Sequence, residues 1–144
     1  MGVIAIALSV YFLGKLKQPF YNGMSYSLLA VSLIQLTVGI TVYFRSPKDI
    51  VRVNLVIQTD KSKIQSEEIP RMKTVMKNFL LYRWIEIALM ITGIFLYLYF
   101  KSGTIWKGIG LGLLIQAALM LILDLFAENR GKIYLAYLQN LNQH

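Results

Sequence analysis

Four long stretches of this chain are almost free of charge, and no other feature restricts its fold as severely. They cover residues 2–18, 24–44, 79–100 and 108–127. The second holds no Lys, Arg, Asp or Glu at all; the third holds Arg83 and Glu86, and the fourth only Asp124. A water-soluble core is built from amphipathic elements, whereas a helix of about 20 apolar residues is what a hydrocarbon layer about 30 Å thick requires. The first stretch is the shortest. At 1.5 Å per residue Met1 to Gln18 reaches about 27 Å before Pro19 stops the helix, with the stems of Lys15 and Lys17 snorkelling towards the headgroups. It lacks the basic start and small-residue cleavage site of a signal peptide, so it is expected to remain as a span.

The expected fold is therefore all-α: one polytopic membrane domain, 1–144, forming a bundle of four transmembrane helices, with a helical cytoplasmic segment at 45–78 between the second and third spans. The balance of residues agrees, since 15% are charged and 56% hydrophobic, where a soluble domain carries about 25% charged residues.

Basic residues set the orientation. Arg45, Lys48, Arg52, Lys61, Lys63, Arg71, Lys73, Lys77, Arg130 and Lys132 fall on the side shared by the central segment and both termini; Lys15, Lys17, Lys101 and Lys107 fall on the other. Ten against four places the termini and the central segment in the cytoplasm, and the protein in the cell inner membrane. Because the basic residues flank apolar stretches, the net charge of +8 reads as this topology signal and not as a nucleic-acid surface. Cysteine is absent and the only histidine is His144, so disulfides, thiolate chemistry and histidine- or cysteine-held metals are excluded, and no cofactor is expected.

Within the central segment, Ser46-Pro47-Lys48-Asp49 reads as a helix start with Ser46 as cap. Ile50, Val53 and Ile57 then share a face. Val51 to Leu55 also alternates like a strand, but a lone strand would have no partner, so a helix is expected. Ser66-Glu67-Glu68 reads as a second start, of a helix running from 67 to 100. The apolar tail 133–138 either extends the fourth helix or lies at the interface.

An offset of 81 residues aligns Ile6-Ala7-Leu8 with Ile87-Ala88-Leu89 and Leu33-Ile34-Gln35 with Leu114-Ile115-Gln116. Either the bundle is a tandem repeat of two helical hairpins related by an axis along the membrane normal, or a hydrophobic chain has matched itself by chance. Under the first reading Gln35 and Gln116, near mid-bilayer, both face the bundle interior.

Few residues could carry chemistry. Arg83, Glu86 and Asp124 fall at overlapping depths, with Tyr43 and Tyr82 at the same end, and intramembrane charges point to function by default. An ion-paired cluster joining the third and fourth helices near the headgroups is the simpler expectation. No nucleophile elbow or metal spacing accompanies them. Gly108 and Gly112, in Gly108-Ile109-Gly110-Leu111-Gly112, lack the context of a phosphate loop and read as a small-residue packing face. Aromatic residues gather at the stretch ends (Tyr43, Phe44, Tyr82, Trp84, Tyr99, Trp106), as an interfacial belt does.

The expected function is non-catalytic binding of a lipid, a small ligand or a protein partner, the partner docking on 45–78, with self-association through small-residue faces. Two alternatives stand beside it. One is a small transporter or channel along Glu86, Gln35 and Gln116; the other is an intramembrane enzyme acting on a lipid, with Glu86 or Asp124 as base and Arg83 as anion holder.

Overall fold

Pro19 divides the first two helices. The residue before a proline is pushed out of helical space, and Lys17 takes up the turn in the left-handed region (φ 43°). The computed structural model describes residues 2–59 and 63–141. Of the residues invoked above, Lys61, His144 and the side chains of Arg45 and Ile57 lie outside the described residues. Helix α1 is Gly2–Tyr11, continued by a π-helical turn at Phe12–Leu16; α2 is Pro19–Thr59; a second π-helical turn, Ile64–Glu68, leads into α3, Ile69–Tyr99; and α4 is Ile105–Leu141. No strand occurs among the described residues.

Three helical stretches, Pro19–Leu55, Ile64–Tyr99 and Ile105–Asn140, are long and apolar enough to cross a membrane, and Gly2–Leu16 is apolar but shorter. The α3–α4 turn uses Gly103 at φ 83°, a conformation that a side chain would strain. Thr104 caps α4 by accepting the Lys107 backbone N–H at 3.4 Å.

The helix start expected at Ser46 is absent, because α2 runs through Pro47 without a break. Proline cannot give the Tyr43 carbonyl its hydrogen bond, which costs an interior helix about 3 kcal/mol. Uninterrupted helix-compatible sequence on both sides carries the helix past it, and the alternating Val51–Leu55 segment is helical with the rest. The start expected at Ser66 begins earlier, in the π turn at Ile64. The tail 133–138 extends α4.

The chain packs as two units, Met1–Ile40 with Ile85–Leu121, and Thr41–Trp84 with Ile122–His144. In the first unit polar side chains share the interior with Ala5, Leu28, Val31 and Ala117. Ser9, Ser25, Ser27, Ser32, Glu86 (1% exposed) and Gln116 (3%) are buried, while Ile34 (64%), Leu98 (74%), Val38 and Ile91 stand exposed. The buried serines return their hydroxyls to their own helices: Ser9 Oγ donates to the Ala5 carbonyl at 2.7 Å and Ser25 Oγ to the Tyr21 carbonyl at 2.8 Å. Each thus satisfies its polar group without a partner helix.

Small residues set the helix contacts in this unit. A Cβ on Gly108 would overlap the Phe20 carbonyl, and one on Gly112 the Ser27 hydroxyl, both on α2. A Cβ on Gly93 of α3 would stand 2.8 Å from the Gly110 carbonyl oxygen of α4. Backbones approach this closely only where side chains are missing.

The second unit has a small conventional core, Ile64, Ile69, Met72 and Leu138, flanked by Val75, Tyr134 and Leu135. It also buries Glu68 and Glu128.

Candidate functional site

Glu68 is the most heavily bonded carboxylate among the described residues. It closes the π turn, where Ile64 and Ile69 drop into the apolar core and draw Glu68, 2% exposed, in with them. A buried charge is tolerable only when paired and hydrogen-bonded, and three helices supply the partners. Arg71, one turn on, gives a forked contact: Nε donates to Oε2 at 2.9 Å and Nη2 to Oε1 at 2.5 Å. Arg52 Nη2 of α2 donates to Oε2 at 3.3 Å, and the Tyr134 hydroxyl of α4 donates to Oε1 at 3.3 Å.

The electrostatics follow from these contacts. Burial pushes the Glu68 carboxyl up, but the hydrogen bond and charge of Arg71, with Arg52 and Tyr134, outweigh it and hold it below the usual 4.5. Arg71 is raised in turn, by its bond to Glu68 and also by the charge of Asp49. Tyr134 is pushed up to about 12 by burial and by the neighbouring Glu68 charge.

Beside this cluster lies an open groove of about 530 Å³. The helical spacing of Val42, Ser46, Asp49 and Val53 lines one face of α2 along it. Arg71 and Val75 of α3 and Tyr134 of α4 close the other sides. The groove therefore combines an apolar wall with one carboxylate, one guanidinium and neutral polar groups. It offers recognition chemistry, with Arg71 already positioned by Glu68.

The residues singled out in the sequence are distributed otherwise. Gln35 Nε2 donates to Gln116 Oε1 at 3.3 Å, and Gln116 Nε2 donates to the Leu28 carbonyl at 3.4 Å. Gln35 Oε1 is buried and accepts no hydrogen bond among the described residues. Of Arg83, Glu86, Asp124, Tyr43 and Tyr82, the first reaches an acid outside the set. Arg83 is ion-paired with Glu128, which also takes Lys132 at 2.7 Å. Asp124, half-buried, sits one turn before Glu128 on the same face, so the acid that Arg83 reaches is the next one along α4. Glu86 is buried in the other unit. Tyr43 and Tyr82 are exposed, Tyr43 with its ring edge-on to Phe44. Among the described residues, no group of three or more His, Cys, Asp or Glu converges as a metal site.

The Glu68 cluster was missed in the sequence because its members, at 52, 68, 71 and 134, are far apart and look like ordinary solvated charges. The available signal was Glu68 and Arg71 at i,i+3 beside Ile64, Ile69 and Met72, an ion pair next to an apolar stripe. Compared with protein-family models, curated proteins and solved structures, the chain matches none.

Proposed function

We propose that this chain is a four-span inner-membrane protein with both termini in the cytoplasm, and that it works by binding, through the groove beside Glu68, and not by catalysis. One observation carries the membrane reading: the first unit buries serine, glutamine and glutamate while exposing isoleucine, leucine and valine. In water this arrangement would leave large apolar surface hydrated and stabilise little. In hydrocarbon, exposed aliphatic side chains cost nothing, and helices associate through small residues and interior hydrogen bonds. The short α1 with its π turn is the fourth span under this reading, and the Lys15 and Lys17 stems make up its length.

Binding is favoured over chemistry by how the charged groups are used. Arg83, the anion holder that an enzyme would need, is spent on Glu128, and Glu68 accepts from three side chains. The groove instead keeps polar and apolar groups together in a volume within the range of small-molecule sites, about 300–1,000 Å³. The tandem-hairpin reading is supported by the Gln35–Gln116 bond, which joins equivalent positions.

Because the chain has no cysteine, single-cysteine labelling tests the topology against a silent background. Ser102→Cys should react with a membrane-impermeant maleimide from outside intact cells, whereas Gln65→Cys and Gln139→Cys should react only after permeabilisation. Labelling of Gln65→Cys from outside would overturn the orientation, and release of the chain by alkaline carbonate would overturn the membrane assignment.

A further inference from the structure

We infer that the exposed face of α3 carrying Lys73 and Lys77 binds an anionic membrane phospholipid, whose phosphate lies between the two ammonium groups. The site is separate from the groove beside Glu68 and rests on the membrane reading above. Lys73 and Lys77 are exposed and one helical turn apart, so they share a face. Like charges at this spacing repel, and no acid lies within a turn of either lysine on α3 to offset them. Glu128, the acid of α4 nearest in register, gives one oxygen to Arg83 and the other to Lys132. Neither Lys73 nor Lys77 enters an ion pair among the described residues. An anion set between them turns the repulsion into two attractions, whereas the ammonium of a zwitterionic headgroup would bring a further cation to the same face.

The lysines stand at the depth of a headgroup. Lys77 comes two residues before Phe79, where the charge-poor stretch begins, and Lys73 six residues before it. Those offsets are about 3 Å and about 9 Å along the helix axis. A headgroup layer is about 5–8 Å thick on each side of the hydrocarbon, and a lysine stem covers the remainder. The same face then continues into the stretch as exposed apolar surface, through Leu80, Leu81 and Trp84. One lipid can therefore set its phosphate on the lysine pair and lay its acyl chains along these three side chains. The opposite helix does not cover this face. Helices α3 and α4 run antiparallel, with Arg83 on Glu128 and Met72 in one core with Leu138, and Gly131 lies against Met72 and Met76. Lys73 and Lys77, each one residue past those methionines, point to the flank of the pair, where Lys132 also falls.

The test reads lipid contact at Trp84. With two tryptophans in the chain, Trp106→Phe leaves Trp84 as the only one. The full chain is reconstituted into choline-headed vesicles holding a small fraction of dibrominated lipid, headed either by glycerol or by choline on identical acyl chains. A lysine beside an anionic membrane surface is worth about fivefold in local concentration. The glycerol lipid should therefore quench Trp84 at least about fivefold more steeply per mole fraction than the choline lipid. Lys73→Gln combined with Lys77→Gln should bring the two slopes together, while Lys101→Gln, just past the far end of α3, should leave their ratio unchanged. A ratio that survives the double substitution, or one lost equally in Lys101→Gln, would overturn the inference. Equal quenching of the parent by both lipids defeats the headgroup assignment and leaves the membrane reading standing; no quenching by either defeats both.

Discussion

Gln35 and Gln116, 81 residues apart, donate and accept a hydrogen bond at 3.3 Å. The pair joins α2 to α4 within the first unit, and Gln116 extends the link to the Leu28 carbonyl. Hydrogen bonds between helices in a bilayer contribute modestly, about 0.6 kcal/mol on average with a maximum near 1.7. Gln35→Leu and Gln116→Leu should each destabilise the detergent-solubilised protein, and the double variant should cost less than the sum of the two by about that coupling. Denaturant unfolding of the four-member cycle checks this; strict additivity would mean that the bond carries no weight.

Glycine positions should separate sharply. Gly108→Val and Gly112→Val place carbon where α2 already lies, and forcing the helices apart should cost about 1–3 kcal/mol or prevent assembly. Gly39 has open space around its would-be Cβ, so Gly39→Ala should be neutral, or stabilising by up to about 1 kcal/mol through its helix propensity. Thermal stability in one detergent compares all three.

These contrasts show what was readable in the chain. The apolar stretches, the small-residue face and the matching glutamines are local or periodic signals, and such signals survive in one dimension. Other features depend on which side chains meet in space. Arg83 reaches Glu128 and not Asp124, a difference of one helical turn that no spacing rule resolves. Pro47 looked like a helix start because proline favours first-turn positions, yet the sequence on both sides was helical enough to absorb it. The Glu68 cluster draws on three helices and became visible only once they were packed.

Glu128 holds two cations, Arg83 and Lys132, of which Lys132 is largely exposed. Removing Arg83 leaves Glu128 its lysine, whereas removing Glu128 leaves the partly buried Arg83 without its acid. Glu128→Leu should therefore cost more than Arg83→Leu, by about 1–2 kcal/mol after allowance for the partial exposure of the arginine. Paired unfolding measurements decide the order, and the reverse order would contradict the pairing.

Two pH windows follow from the Glu68 cluster, whose residues lie outside the charge-poor stretches 24–44, 79–100 and 108–127 that are read as spans. Folding lowers the Glu68 carboxyl below its usual 4.5, so the unfolded chain takes up that proton first. Its contribution is complete above about pH 4.5 and fades as pH falls through the folded value. Glu68→Gln should flatten this acid limb of the stability curve. Folding raises Tyr134 from 10.0 to about 12, so its contribution is complete below about pH 10 and is lost as pH rises towards 12. A tyrosinate absorbance titration of the protein and of Tyr134→Phe should differ by one late-titrating group; loss of a group titrating near 10 would contradict the assignment.

Trp84 and Trp106 are both exposed on the helices that the account surrounds with lipid, and bromine on acyl chains quenches tryptophan only by contact. The protein reconstituted into vesicles of brominated phospholipid should lose most of its tryptophan emission relative to vesicles of the unbrominated lipid. Unchanged emission, from a chain that also remains dispersed without detergent, would show water around these helices and contradict the account.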